Sequence, residues 1–364
     1  MKTFIAKSLI LCSALSVIST HAQTQQIGNT NQDKCYGLVL SDAIDLGPHQ
    51  AGVMSHYIQM MAQKNLTYNT VSGVGVGALN AYLYSLYQQG EETKLIQDLQ
   101  SFWHNISSQS HYSIRGDGFI YGLFFEDSLY ESSNLNQILQ KNLKNQTKAK
   151  GLSIGITNVL NGMFKVFDEE TSYSDMMKVI QASITYVGIG PMVDAFQALW
   201  FTGSTIYELD INSAIIKCKN LGYSENNTVI DVILSAYPML SHEAANLNNG
   251  FKNIGRTIQL QAQYEKLFGV IRTKLAHPLV NIRYISGPTE EVASKNFPFD
   301  YSKGEVDYLF TQGVQDAQWA IKNSEIISES LSPIFYNDYQ SKSEKKTRRS
   351  GNNNLFLQQN VETL

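Results

Sequence analysis

The stretch Ser72-Gly73-Val74-Gly75-Val76-Gly77-Ala78-Leu79-Asn80 comes closest in this sequence to a catalytic motif. It follows an extended run from Leu66 to Val71. Apolar positions after it, at Ala78, Leu79, Ala81, Tyr82, Tyr84 and Leu86, have a spacing that predicts a helix. Strand, glycine-rich turn and helix is the setting of a nucleophile elbow, G-x-S-x-G, where a sharp turn presents a serine hydroxyl to a substrate carbonyl. Gly73 and Gly77 stand at the flanking positions, but the central position is Gly75, which has no side chain. The frame for acyl-transfer chemistry is present without a nucleophilic atom at its centre.

Other chemistries find less support. The glycines around residue 75 lack the Lys-Ser/Thr that completes a phosphate-binding loop. No His/Cys/Asp grouping has metal-ligand spacing, so neither a metal nor a cofactor is expected. His49 and His56 share one predicted helix at i, i+7 and can assist a site, although core or surface histidines are the commoner case.

The elements around the elbow read as alternating strands and helices. Tyr36-Gly37-Leu38-Val39-Leu40-Ser41 is a continuous apolar run, as a buried parallel strand requires. Asp42 to Gly47 is a loop, and Pro48 suits the first position of a helix running through Met61. Strand, helix, strand, elbow, helix implies a parallel sheet with right-handed crossovers. Further on, the pattern predicts helices from Glu91 to Trp103 and from Leu135 to Leu143, and a strand over Leu152–Thr157. Asn161-Gly162 signals a type I′ hairpin turn, with Met163 to Phe167 as the returning strand. A helix from Tyr173 to Ile184 precedes a break at Gly188-Ile189-Gly190-Pro191, and Ala195 to Phe201 leads into a second turn at Thr202-Gly203-Ser204. Beyond these come a helix over 209–219, a central strand over Val229–Leu234, a helix over Ile254–Leu267, a strand over Leu279–Ile285 and a last helix from Glu305 to Ile321. The Gly/Phe/Tyr-rich stretch Gly116 to Phe125 reads as a buried loop or lid.

The ends and the composition bear on compartment. Lys2 and Lys7, the largely apolar run Ser8 to Ile18, and Thr20-His21-Ala22 have the layout of a signal peptide of residues 1–22, cut after Ala22. No later stretch is apolar for long enough to span a bilayer. Residues 23–34 read as a polar arm. The net charge of −4 argues against a general nucleic-acid binder, and only 16% of residues are charged. Cys35 and Cys218 remain after the leader is removed; they can pair in an oxidising compartment or stay as two buried thiols. Four N-glycosylation sequons begin at Asn65, Asn105, Asn145 and Asn226. From Ser341 onward, lysines and arginines precede Gly351-Asn352-Asn353-Asn354. That is a disordered basic tail, able to touch anionic lipid or to be trimmed at its dibasic pairs, and otherwise simply solvated.

The order of these pieces resembles the patatin-like phospholipase family. Leu38-Val39-Leu40-Ser41 is similar to that family's opening strand, Ala51-Gly52-Val53 to its first helix, and Gly77-Ala78-Leu79-Asn80-Ala81 to the residues after its nucleophile. Val166-Phe167-Asp168 resembles the end of its hairpin. Ala182-Ser183 through Pro191 to Thr202-Gly203-Ser204 resembles its helix, proline turn and Asp-Gly-Gly, and Gln312 to Ala317 its closing helix. The resemblance runs from about Tyr36 to Ile321. It implies a three-layer α/β/α fold with a central, mostly parallel sheet over residues 35–325, followed by a C-terminal extension, 326–364. It also implies lipid acyl hydrolase chemistry by a serine and an aspartate, with an oxyanion-binding glycine loop.

Laid on this sequence, the family's nucleophile position is Gly75 and its aspartate position is Thr202. The oxyanion glycines fall on Asp42, Ala43 and Ile44, followed by Asp45-Leu46-Gly47. Each departure removes a physical requirement: an ionisable O–H, a base within hydrogen-bond reach, and a backbone open to the substrate oxygen. A rewired site would have to use Ser72 or Ser204 with Asp42 or Asp45. The expectation is therefore a secreted, non-catalytic relative that binds lipid or a protein partner, with possible peripheral membrane contact and no transmembrane span. The alternatives are an active lipid acyl hydrolase with an altered site, and a structural or interaction protein that keeps only the fold.

Overall fold

The computed structural model describes residues 33–107, 113–114, 126, 128–131, 133–235, 250–289 and 302–324. The expected leader, the loop or lid stretch Gly116–Phe125 and the basic tail lie outside the described residues.

β1 (Cys35–Leu40) is paired on both sides, by β2 (Thr70–Val74) and by β9 (Thr228–Ile233), in parallel register. Its alternation explains why the sheet must be covered twice. Leu38 and Leu40 point into a large core with α1 (Gly47–Gln63), α2 (Gly77–Ser85), α3 (Glu92–Ser107) and α8 (Lys303–Lys322). Val39 points the other way, toward Ile211, Ala214 and Ile215 of α6 (Ile211–Asn220) and Val270 of α7 (Gly250–Ala276). Successive side chains of a strand face opposite sides, so a strand apolar at every position needs a helical layer on each. The result is a three-layer α/β/α fold.

The eight-stranded sheet runs β10-β9-β1-β2-β5-β8-β7, with β6 also paired to β5. β5 (Gly151–Asn158) continues the parallel part; β6 (Phe164–Asp168), β7 (Val193–Ala195) and β8 (Ala198–Thr202) add an antiparallel end, and β10 (Asn281–Ser286) closes the opposite edge. β9 is therefore second from an edge, not central as its apolar run suggested; helices on both faces bury it as deeply as a middle strand. A two-stranded pair, β3 (Ser113–Ile114) with β4 (Tyr130–Glu131), precedes α4 (Ser133–Asn142), and α5 (Tyr173–Ser183) packs beside β5.

Three local details differ from expectation. The β5–β6 connection is not a type I′ turn. Four residues separate the closing pair Asn158–Met163, and of them only Gly162 has positive φ, because Asn158 Oδ1 accepts the Leu160 N–H and stabilises a longer turn. A two-residue turn with both residues left-handed occurs instead at Phe196 (φ 51°) and Gln197 (φ 60°), joining β7 to β8. Nothing in that dipeptide signals it. Its strain is offset by the Phe196 ring, which packs on Phe167 and Trp200. Finally, α7 continues past Leu267 to Ala276 and stops two residues before Pro278, whose ring disfavours helix in the residue preceding it.

Cys35, the first residue of β1, is bonded to Cys218 of α6, with S–S 2.02 Å and Cα–Cα 5.7 Å.

Candidate functional site: an elbow occupied by a carboxylate

Two loops meet at the C-terminal edge of the parallel strands. The first joins β1 to α1 and contains Asp42, Ala43, Ile44 and Asp45; the second is the turn between β2 and α2 at Gly75 and Val76. Gly75 has φ +60°. The flanking glycines let the backbones close on one another: a Cβ at Gly73 would lie 2.4 Å from the Gly77 carbonyl oxygen, and one at Gly77 would lie 2.5 Å from that of Ser41. This is the tight strand-to-helix turn that the motif spacing predicts.

The space above Gly75 is filled. A Cβ built there would stand 2.1 Å from both Cγ and Oδ1 of Asp42 and 2.5 Å from Oδ2. Asp42 is 2% exposed, and one oxygen, Oδ1, receives three donors: the Val76 N–H at 3.2 Å, the Ile44 N–H at 3.1 Å and the Tyr186 hydroxyl at 2.5 Å. Two converging backbone N–H groups, one of them on the residue after the elbow's centre, are what an oxyanion hole consists of. Here they hold an intramolecular carboxylate. The sequence placed Asp42 near a growing oxyanion; the structure places its oxygen on the donors themselves. Ile44 adopts φ 45°, a costly conformation for a β-branched residue, and its N–H bond to Asp42 helps hold it there. Ala43 is buried and Ile44 exposed, while Gly47 begins α1 against the ring of Trp103.

β8 brings the second sequence position to the elbow. Ile156 and Thr157 of β5 pair with both β6 and β8, so β8 takes the side of β5 that β2 vacates after Gly155. That register sets Thr202 against Ile156 and packs Gly203 onto the Gly155 carbonyl, 2.5 Å from where a Cβ would stand. Thr202 is buried. Its Oγ1 lies 2.8 Å from the Ser204 hydroxyl, accepts the Ser204 N–H, and caps a short 3₁₀ turn, Gly203–Thr205. Ser72 does not reach the turn: it is buried within β2, and its hydroxyl donates to the Asp210 backbone carbonyl at 2.7 Å. His49 is also placed elsewhere. It is buried between α1 and α8 with Nε2 2.7 Å from Asp316. Burial raises the Asp316 carboxyl, but the hydrogen bonds from His49, Thr289 and Gln312 outweigh it and leave it below the usual range. His56 is lowered by burial.

Ser183, Tyr186, Glu208 and Lys266 belong to the site although none was expected as a site residue; Ser183 and Tyr186 lie in the Ala182–Pro191 stretch noted only for its resemblance. Ser183 donates to the Gly75 and Gly155 carbonyls at 3.3 and 3.4 Å. Lys266 reaches from α7 to the Asp42 carbonyl at 3.2 Å and lies 3.7 Å from Glu208. Glu208 and Lys266 come from separate elements far along the chain, and no motif links them to the elbow. Burial is the main force pushing the Glu208 carboxyl up to about 7; Lys266 opposes the rise and Asp42 adds to it. In the unfolded chain the group titrates near its ordinary 4.5. Between those values the folded protein keeps a proton that the unfolded chain has released, so stability falls as pH rises through that window and stays lower above it. Glu208→Gln is expected to remove this slope. Denaturant melts at about pH 5 and about pH 8 should then differ by roughly 1–3 kcal/mol less than in the parent. An identical pH loss in both proteins would assign the titration to another group.

Among the described residues no cluster of His, Cys, Asp and Glu has the makings of a metal site, and no helix is long and apolar enough to cross a membrane. The side chains at Asn65, Asn105, Asn145 and Asn226 are all exposed.

A sequence model of the family described as "Patatin: Patatin-like phospholipase" matches residues 46–203. Among solved structures, the crystal structure of VipD from Legionella pneumophila is 11% identical at a TM-score of 0.35, with 80% of this chain and 67% of that one covered. No curated protein sequence matches the chain. The matched span begins at Leu46, just before α1, takes in the β2 elbow and the β5–β6 hairpin, and ends on the turn after β8. Over residues 46–203 the chain carries the sequence pattern of the patatin-like phospholipase family.

Proposed function

We propose that this protein is a secreted, non-catalytic member of that family that binds lipid at its elbow edge without hydrolysing it. The observation that carries the reading is the Asp42 carboxylate, which takes up the volume above Gly75 and the N–H groups that would stabilise a tetrahedral oxyanion. A negative charge there opposes the one an ester carbonyl develops on attack. The elbow itself contributes no hydroxyl, and Thr202 cannot serve as a carboxylate base. The lipid part of the reading rests on the family and on apolar side chains at the same edge. Leu160 and Met163 on the β5–β6 hairpin are 75% and 59% exposed, Val187 beside Tyr186 is 60% exposed, and Ile206 after the 3₁₀ turn is 49% exposed. Secretion rests on the N-terminal apolar run and on the disulfide, which needs an oxidising compartment.

The test is turnover of phospholipid and simple carboxylic esters by the purified protein, beside vesicle co-sedimentation. The comparison variant carries Gly75→Ser, Thr202→Asp, Asp42→Gly, Ala43→Gly and Ile44→Gly. The expected result is vesicle binding by the natural chain, no turnover above buffer, and a gain of turnover in the variant. Turnover by the natural chain that persists in Ser72→Ala and Ser204→Ala would sink the non-catalytic reading.

A further inference from the structure

The sheet separates the elbow from a second edge with a different character. Asn65 lies five residues before β2, Asn145 six residues before β5 and Asn226 two residues before β9. β2, β5 and β9 belong to one parallel set with β1, so these three asparagines gather at the N-terminal edge of the strands, opposite the elbow. The disulfide sits at that edge too, since Cys35 opens β1 and pairs in register with Thr228 of β9. All three asparagines are exposed. Asn65 occupies a left-handed turn after α1 (φ 54°), where its side-chain Oδ1 accepts from the exposed Gln89; Asn145 is in the loop between α4 and β5; Asn226 is in a 3₁₀ turn, Glu225–Asn227. The fourth sequon, at Asn105, lies near the end of α3. There the neighbouring Trp103 bonds to Asn80 and packs on Gly47, toward the elbow.

We propose that Asn65, Asn145 and Asn226 are N-glycosylated and that their glycans cover the edge opposite the elbow, leaving the exposed apolar side chains at the elbow edge uncovered. The inference rests on the secretory reading above. In the modification, Nδ2 of each asparagine forms a bond to the anomeric carbon of an oligosaccharide. The bond from that carbon to a polyprenyl diphosphate carrier breaks, and the amide proton leaves with the diphosphate. Three bulky, hydrated groups on one edge would orient the molecule, because that edge could not approach a lipid surface or pack against a partner. The opposite edge, with Leu160, Met163, Val187 and Ile206, remains free to do so.

The full chain should be secreted from a eukaryotic host and its peptides examined by mass spectrometry after enzymatic deglycosylation in heavy-oxygen water, which converts each occupied asparagine to a labelled aspartate. Occupancy is expected at Asn65, Asn145 and Asn226. Amine labelling of the native protein supplies the spatial readout. Removing the glycans should raise the labelling of Lys64 and Lys144, neighbours of two of the sites, by about twofold or more, and leave Lys165 on β6 unchanged. Secreted protein with its disulfide formed and those three asparagines unmodified would overturn the glycan proposal alone. An equal rise at Lys165 would overturn the one-edge arrangement. Protein retained in the cell with both cysteines reduced would overturn the secretory reading and the glycan proposal together.

Discussion

Gly75→Ser by itself is expected to destabilise the protein by roughly 2–5 kcal/mol and to confer no esterase activity. Two costs combine. An L-residue at φ +60° carries about 1–2 kcal/mol of backbone strain. The new side chain would also start 2.1 Å from the Asp42 carboxyl carbon and must displace it, an overpacking of about 1–3 kcal/mol. The displaced carboxylate would leave the N–H groups of Val76 and Ile44 and the Tyr186 hydroxyl without their acceptor. Asp42→Gly alone orphans the same donors, at about 1–3 kcal/mol for each that water does not reach.

The informative quantity is therefore the coupling between the two positions. With Asp42 already removed, the serine enters vacated space and its hydroxyl lies beside those donors. The double variant is expected to be more stable than the sum of the single losses by about 1–3 kcal/mol. Urea melts of the parent, the two single variants and the double variant measure this directly. Strict additivity would mean that Asp42 does not occupy the volume above Gly75. A second readout follows from the chemistry: excess acetate should raise the melting midpoint of Asp42→Gly and leave the parent unaffected, because a free carboxylate can then take the vacated donors.

Loss of the disulfide carries the other large effect. Cys35 and Cys218 are 183 residues apart in sequence, and both are fully buried. Closing so long a loop restricts the unfolded chain strongly, and chain-entropy arithmetic gives about 5 kcal/mol as an upper value. Strain and residual structure in the unfolded state reduce it, so Cys35→Ala with Cys218→Ala is expected to cost about 3–5 kcal/mol. That is a large fraction of the roughly 5–15 kcal/mol that a folded domain has in all. Guanidinium unfolding of the oxidised protein, the reduced protein and the double variant supplies the comparison. Coincident midpoints for all three would mean the bond does not hold α6 to β1 in solution.

Much of the architecture was legible because it follows from short-range periodicity. The unbroken apolar run of β1 announced a strand covered on both faces, and the glycines at 73, 75 and 77 announced a tight turn between strand and helix. Pro48 marked the start of α1, and Ser172, which caps α5 by accepting the Asp175 N–H, stands just before the expected start at Tyr173; α8, capped by Ser302, begins at Lys303, two residues ahead of the expected Glu305. The hairpin after β5 was visible from Asn161-Gly162, but its turn type was not, since an Asn158 side chain outside the dipeptide decides it. The β7–β8 turn was invisible for the same kind of reason. Phe196 and Gln197 have no local preference for positive φ, and it is tertiary contacts, with the rings of Phe167 and Trp200 and the ammonium groups of Lys165 and Lys178, that hold Phe196 there.

The sequence by itself determined what is absent from the elbow: a glycine has no side chain at any position in any fold. It also determined that Thr202 carries no ionisable base. Only the tertiary structure decided what stands in the empty place. Asp42 and Gly75 are 33 positions apart, and the register of β1 on β2 brings their loops together at one end of the sheet. The switch of partner along β5, from β2 to β8, then sets Thr202 beside them. The same register left Ser72 pointing at the Asp210 carbonyl rather than into the turn, because Ser72 lies within the strand and not at its end. Contacts of this kind depend on how strands align, which no single stretch of sequence encodes.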